Sequence, residues 1–171
     1  MKTLNTFDNL LSNPELTKEY KRTILLNIFK KICFKMNKSE DYKKYLKQLY
    51  LESFDKIITT QNIIKKEFSV ELSKEEATEL SKWFLANFKK ISNRKKIPDD
   101  IRKKLLLKQN NKCIACGETL SDISKAHVDH IIPWVLVGDE LENNYQVLCD
   151  KCNECKSASI DFMFRLMLNL V

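Results

Sequence analysis

Residues 113–156 read CIACGETLSDISKAHVDHIIPWVLVGDELENNYQVLCDKCNECK, and this stretch decides how the chain is interpreted. It holds five of the six cysteines and both histidines of the 171-residue chain. Disulfides would explain the cysteines of a secreted protein, but the first residues, MKTLNTFDNLL, place Asp8 where a signal peptide needs an apolar run. We therefore expect a cytoplasmic protein, in which crowded cysteines predict a metal site.

Two cysteine pairs of equal spacing are the candidate ligands. Two residues separate Cys113 from Cys116, and two separate Cys149 from Cys152. Thiolates at this spacing are typical ligands of a structural zinc ion. Cys155 repeats the spacing with Cys152, so a set in which Cys155 replaces Cys149 or Cys152 is the alternative. We expect zinc to be bound by Cys113, Cys116, Cys149 and Cys152. Cys33 and Cys155 are then expected to be free thiols.

Both histidines lie between the two cysteine pairs, in the sequence His127-Val128-Asp129-His130. Two imidazoles and a carboxylate within four residues predict a catalytic or metal-binding role. The apolar run that ends at Pro133 predicts a strand, and alternation along a strand places His127 and Asp129 on one face and His130 on the other. Asp129 and His130 can therefore serve one site only if the strand ends or distorts there.

The order and spacing of these elements over residues 97–158 resemble the HNH endonuclease family. The segments that carry the resemblance are Cys113–Cys116, His127–Pro133, Asn143–Cys149 and Cys152–Lys156. The resemblance implies a ββα-metal fold, in the variety that a separate zinc ion holds together. It also implies hydrolysis of phosphodiester bonds with one catalytic divalent cation.

Site residues follow from the resemblance position by position. It implies that His130 is the general base, that Asn144 braces the loop and the base, and that Asp129 and Asn153 bind the catalytic ion. The third letter of the motif is Asn153 and not histidine, which makes this an H-N-N version. Oxygen ligands favour Mg²⁺ or Mn²⁺ over softer metals. His127 is either a further ligand or a strand-edge residue without a chemical role.

A basic segment precedes the cysteines. Residues 94–112 contain eight Lys or Arg against two Asp, and the whole chain has a formal net charge of +7, which favours a polyanionic partner. Such a run is either a solvated helix face or a phosphate-binding surface. The candidates for nucleic-acid contact are Arg94, Lys95, Lys96, Arg102, Lys103, Lys104 and, beside the motif, Lys156.

The first half of the chain has helical periodicity from about residue 14 to residue 92, and two Gly and three Pro in the chain fit long helices. Helices are predicted to begin at Pro14, after Ser39 and at a capping box formed by Ser73 and Glu76. The second of these helices is expected to extend into Ile63–Ile64. The stretch before Pro98 predicts a domain boundary.

These observations predict an α+β protein. A mainly α-helical domain, residues 1–92, would serve recognition, dimerisation or partner docking. A small ββα-metal domain with a structural zinc, residues 93–171, would include a basic lead-in helix and a C-terminal helix. The chain lacks a run of about 18 apolar residues, so we expect no membrane segment.

The predicted function is a metal-dependent DNA endonuclease of restriction or anti-phage defence. The alternatives are a zinc-dependent nucleic-acid-binding module without catalysis and a nuclease subunit that depends on a protein partner. Double-strand cleavage would require a homodimer, because one single-ion site cuts one strand.

Overall fold

Helices make up most of the structure, a computed structural model that describes residues 12–91 and 93–170. The first five helices are α1 (Pro14–Lys38), α2 (Glu40–Glu52), α3 (Lys56–Phe68), α4 (Lys74–Lys89) and α5 (Asp99–Lys108). A short 3-10 turn, Ile123–Lys125, is followed by β1 (Ala126–His130), α6 (Trp134–Val137), β2 (Tyr145–Cys149), α7 (Asp150–Lys156) and α8 (Phe162–Met167). The predicted α+β class, with a helical N-terminal part and a small C-terminal sheet, is confirmed.

Local capping explains where the long helices begin. The side chain of Asn13 accepts hydrogen bonds of 3.1 Å from the N–H groups of Glu15 and Leu16 at the start of α1. At the start of α4, Ser73 Oγ accepts from the Glu76 N–H, and the Glu76 carboxylate accepts from the Ser73 N–H. This is the predicted capping box.

The expected extension of the second helix into Ile63–Ile64 is wrong. Helix α2 ends at Glu52, because Ser53 has an extended backbone. The Asp55 carboxylate then accepts a 2.8 Å hydrogen bond from the Ile57 N–H and caps a new helix, α3. A side-chain cap of this kind offers the backbone an alternative to continuing the preceding helix.

The chain divides into two compact units that are discontinuous in sequence. The sheet unit contains the described residues up to Leu26, Ile97–Ile131 and the described residues from Tyr145 onward. The helical unit contains Asn27–Lys96 and Ile132–Asn144. The connection between the two strands therefore folds with the helices. The division into domains at residues 92 and 93 stays a prediction.

The sheet unit has two antiparallel strands followed by a helix. His127 pairs with Leu148 and His130 with Tyr145 across the ladder. Helix α7 begins at Asp150, directly after β2, and packs against both strands. The core beneath includes Leu106, Leu120, Ala126, Val147 and Leu148. This is the ββα order that the sequence predicts.

An aromatic core fills the helical unit. Trp83 and Phe84 of α4 are 1% and 0% exposed, and the ring of Phe29 meets that of Phe84 edge-on at 5.3 Å between centroids. The Tyr50 hydroxyl is hydrogen-bonded to that of Thr60 inside this core.

In the described part of the chain, no helix is both long and apolar enough to cross a membrane.

The connection Ile132–Asn144 is bound to α4 within the helical unit. The Asn87 side chain donates a 2.6 Å hydrogen bond to the Leu136 carbonyl, and Lys90 Nζ donates one of 2.8 Å to the Val135 carbonyl. Gly138 has φ +63°, and a Cβ atom there would lie 2.7 Å from the Cβ of Lys90. A glycine is thus required both by the backbone conformation and by the close approach of α4.

Candidate functional site

The predicted zinc ligands lie together in the sheet unit. The Sγ atoms of Cys113, Cys116, Cys149 and Cys152 all lie within 4.8 Å of one another, and those of Cys116 and Cys149 are 3.8 Å apart. A tetrahedral zinc ion with Zn–S bonds of about 2.3 Å separates its sulfurs by about 3.8 Å. The four cysteines are therefore positioned to hold a structural metal ion such as zinc. The alternative set that includes Cys155 is not formed.

Each half of this cluster is positioned by local structure. The Gly117 N–H donates a 2.9 Å hydrogen bond to the Cys113 carbonyl, and Gly117 has φ +76°, which closes the tight turn between the first two ligands. Cys149 is the last residue of β2 and Cys152 lies in the first turns of α7. The strand-to-helix junction thus supplies the second pair.

The thiols differ in their electrostatic environment. Burial raises the pKa of the Cys113 thiol, but backbone N–H donors, first among them that of Cys116, outweigh burial and lower it below its ordinary value. Burial raises the pKa of Cys149 and of Cys152, and neighbouring thiols raise that of Cys152 further. Four adjacent thiolates repel one another, so a cation such as zinc is needed to hold all four ionised.

The predicted general base lies at the end of β1. His130 is the last residue of the strand and is 2% exposed, and its ring centroid lies 4.8 Å from that of its cross-strand partner Tyr145. Asp129 precedes it with a side chain that is 18% exposed. The strand ends where the sequence required it to end if Asp129 and His130 are to serve one site.

Lys156 has its ammonium group in the interior of the sheet unit. Its Nζ lies 2.7 Å from Asp129 Oδ2 and donates a 2.8 Å hydrogen bond to the His130 carbonyl, and its side chain is 3% exposed. The sequence indicated this lysine as a candidate phosphate contact, and the structure shows that it is not an exposed helix residue. The missed signal is its position four residues after Cys152, on the helix face that turns toward the sheet.

The other two predicted ligands lie on β1 and α7. His127 is 40% exposed, and its Nε2 is paired with the carboxylate of Asp150, the first residue of α7. Asn153 is half-buried one turn further along the same helix. Asp150 as the partner of His127 was missed by the sequence analysis, because the contact depends on the register of β1 against β2 and not on local spacing.

Asn144 binds the connection between the strands. Its Oδ1 accepts a 2.8 Å hydrogen bond from the Ile132 N–H, and its Nδ2 donates one of 3.0 Å to the Ile132 carbonyl. The side chain is 4% exposed, so both bonds are shielded from water. This two-point contact joins the first and last residues of Ile132–Asn144. The role of Asn144 in the site stays a prediction.

The segment that contains both cysteine pairs, both strands and α7 is similar to a known family. Residues 113–159 match the HNH endonuclease family model. The match confirms the predicted resemblance for this part of the chain, hereafter the HNH segment. The cysteine set agrees with the zinc-containing variety. Neither the curated proteins nor the solved structures contain a match to the chain.

A contact outside the HNH segment fixes β2 from the other side. Gln109, which follows α5, donates from Nε2 to the Val147 carbonyl at 2.9 Å and accepts from the Val147 N–H at 2.8 Å. A single amide thus pairs with β2 as a neighbouring strand would. No sequence pattern predicts this contact, because a lone glutamine at a helix end has no distinctive spacing.

The basic residues of α5 have local partners. Arg102 lies 3.8 Å from Asp99, and Lys104 lies 3.5 Å from Asp100. Lys103 is exposed on the same helix. Exposed pairs of this kind are worth about 0–1 kcal/mol, so a phosphate can replace the carboxylate at small cost.

The basic residues before α5 lie in the helical unit. Lys95 Nζ lies 3.2 Å from a Glu140 carboxylate oxygen, and the Lys95 N–H donates a 2.9 Å hydrogen bond to Asp139. Arg94 and Lys96 are exposed beside it. Lys95 therefore helps to hold the connection between the strands, a role that its charge alone did not predict.

Proposed function

We propose that this chain is a metal-dependent HNH endonuclease that hydrolyses phosphodiester bonds in DNA. The observation that carries the proposal is the match of residues 113–159 to the HNH endonuclease family model. We assign His130, Asn144 and Asn153 to the three named positions of the motif on the resemblance of the sequence. The net charge of +7 supports a polyanionic substrate.

In this proposal His130 accepts the proton of the water that attacks phosphorus. Its position is supported from two sides, by the ring contact with Tyr145 and by the hydrogen bond from Lys156 to its carbonyl. Asn144 keeps the chain that leaves His130 in place through its two bonds to Ile132. A base held in this way loses little entropy when the substrate arrives.

Two metals with different ligand chemistry are proposed. The four cysteines would hold the structural zinc ion, which suits thiolate ligands. Asp129 and Asn153 would hold a hard divalent ion, Mg²⁺ or Mn²⁺, through oxygen atoms. When bound, that ion stabilises the charge that develops on the phosphate and on the leaving oxygen.

The remaining parts of the chain would position the substrate and select partners. We assign phosphate contacts to the exposed basic residues of α5 and of the segment before it, because such contacts fix the register of DNA without reading its sequence. A second copy of the chain would be required for a double-strand break. A cytoplasmic role in restriction or anti-phage defence, with the helical domain recognising DNA or a protein partner, completes the proposal.

Plasmid cleavage tests the proposal directly. Zinc-loaded protein is incubated with supercoiled DNA in Mg²⁺ or Mn²⁺, with His130→Ala as the test variant and His127→Ala as the matched control, because His127 is the other histidine of β1. We expect His130→Ala and chelation to abolish cleavage, the substitution by about 100-fold or more. We assign His127 to the strand-edge alternative, because it is exposed and paired with Asp150, so His127→Ala should keep most of the activity.

Three other outcomes separate the alternatives. Cleavage that survives His130→Ala would refute the assignment of the base. Wild-type protein that holds zinc and binds DNA without cutting would favour the binding module. Cleavage of RNA but not of DNA in parallel reactions would replace the proposed substrate.

A further inference from the structure

Lys156 is a buried ionisable side chain to which the proposed function assigns no part beyond its hydrogen bond to the His130 carbonyl. Its ammonium group is 2.7 Å from Asp129 Oδ2 and 2.8 Å from the His130 carbonyl oxygen, with 3% of the side chain exposed. The buried Lys156 ammonium group thus contacts two residues of the proposed site, the side chain of Asp129 and the backbone of His130. Lysine is almost never buried to this degree without a partner of opposite charge.

The ion pair neutralises the carboxylate that the proposed function assigns to a divalent ion. Asp129 is 18% exposed, so water screens its charge only in part. Lys156 occupies Oδ2, which leaves Oδ1 as the oxygen that an incoming ion would bind. Any cation that binds Asp129 therefore meets a second positive charge on the same carboxylate.

We propose that Lys156 sets the divalent-ion affinity of the Asp129 site. Without an ion, it neutralises Asp129 and fixes the orientation of the carboxylate. With an ion bound, Lys156 remains paired with Oδ2 of Asp129, so the ion binds the other carboxylate oxygen. The two cations then repel each other. This inference rests on the proposed function, because it takes Asp129 to be a ligand of the catalytic ion.

Lys156 is a positioning residue that weakens the binding of the divalent ion and speeds hydrolysis. Removing its charge relieves the repulsion, so a divalent ion binds more tightly. Removing its ion pair frees the Asp129 carboxylate, and removing its hydrogen bond to the His130 carbonyl frees the end of β1. The bound ion and His130 are then less well oriented, so hydrolysis slows. A lysine that only stabilised the fold would weaken both properties together.

Titration with Mn²⁺ measures the first effect without any substrate. Zinc-loaded wild type, Lys156→Met and Lys151→Met are compared by calorimetry, where Lys151 is an exposed lysine of α7 that provides the same change of charge. We expect Lys156→Met to bind Mn²⁺ about tenfold more tightly or better, and Lys151→Met to change the affinity less than about twofold. Equal affinities in the two variants, or weaker binding by Lys156→Met, would overturn the inference.

Cleavage at saturating Mn²⁺ measures the second effect. Lys156→Met is expected to cut DNA more slowly than Lys151→Met under these conditions, in spite of its tighter ion binding. A rate equal to that of Lys151→Met would overturn the positioning role. If wild type binds Mn²⁺ and the affinity shifts as expected but no variant cuts DNA, the proposed function fails and the control of ion affinity stands.

Chemical denaturation keeps the inference testable if Lys156→Met does not fold. Asp129→Asn leaves the ammonium group buried without its carboxylate, which is strongly destabilising. The double variant Asp129→Asn/Lys156→Met removes that stranded charge and should unfold at a higher denaturant concentration than Asp129→Asn alone. A double variant no more stable than Asp129→Asn would show that the two residues are not coupled, and the inference would be withdrawn.

Discussion

The side-chain amide of Asn87 donates a 2.6 Å hydrogen bond to the backbone carbonyl of Leu136, 49 residues further along the chain. Asn87 lies on α4 and is 8% exposed, and Leu136 lies on α6, between the two strands of the HNH segment. A buried polar contact of this kind is specific, because a carbonyl left without its donor is costly. The helical unit therefore includes the middle of the HNH segment itself.

Asn87→Ala is expected to lower the free energy of unfolding by about 1–3 kcal/mol, because the Leu136 carbonyl would remain buried without a donor. Urea denaturation of the zinc-loaded protein measures the loss. Asn62→Ala, at an exposed position on α3, is the matched control and should change stability by less than about 0.5 kcal/mol. Equal midpoints for the two variants would show that the contact does not contribute.

A fragment of residues 93–171 is expected to bind zinc but to lose order in Ile132–Asn144. The fragment lacks Asn87 and Lys90, which bind the carbonyls of Leu136 and Val135 in the intact chain. Hydrogen exchange followed by mass spectrometry should show faster exchange in this connection than in the full chain. Unchanged protection would mean that residues 93–171 fold as an independent domain, as the sequence predicts.

Cys152→Ser is expected to abolish stoichiometric zinc binding, whereas Cys155→Ser should leave one zinc ion per chain. The Sγ of Cys152 belongs to the cluster of four, and Cys155 is exposed outside it. Metal analysis of the purified proteins gives the result, and thermal denaturation should show a lower Tm for Cys152→Ser alone. Loss of zinc in both variants would revive the alternative ligand set.

Thiol alkylation should distinguish the two cysteines outside the cluster. Cys33 is buried, and burial raises the pKa of its thiol to about 12, so at pH 8 only about 10⁻⁴ of it is ionised and reactive. Raising the pH toward that pKa increases the thiolate fraction, but the native packing still excludes the reagent. In zinc-loaded protein at pH 8, we expect iodoacetamide to modify Cys155 first and Cys33 only after denaturation. Modification of Cys33 at the rate of Cys155 would contradict the buried position.

Local chemistry accounts for what the sequence predicted correctly. The spacing of the cysteines predicts a metal site, because two residues between thiols fit one tetrahedral ion, but it left Cys155 as an alternative ligand. The beginnings of α1 and α4 follow from side-chain caps, which act within four residues of the chain. Apolar periodicity continues past Ser53 and wrongly predicted one continuous helix there. The side chain of Asp55 instead caps a new helix.

Long-range packing accounts for what the sequence did not predict. The spacing of Lys156 from Cys152 indicates only that the two residues share a helix face, and the contact of Lys156 with Asp129 depends on how α7 packs on β1. The pairing of Gln109 with Val147 spans 38 residues, and that of Asn87 with Leu136 spans 49. Contacts of this range are set by the assembled fold, so a single sequence does not reveal them.

The separation of the zinc ligands along the chain imposes an order on biosynthesis. Thirty-two residues lie between Cys116 and Cys149, and they include the connection that folds with the helices. At ordinary rates of translation, the second cysteine pair follows the first by roughly 2–6 s. A nascent chain therefore holds half a zinc site, without β2 or α7, until that interval has passed. A metal ion that binds the four cysteines therefore meets a chain whose α1–α5 are already made, so metal binding would be the last step in forming the HNH segment.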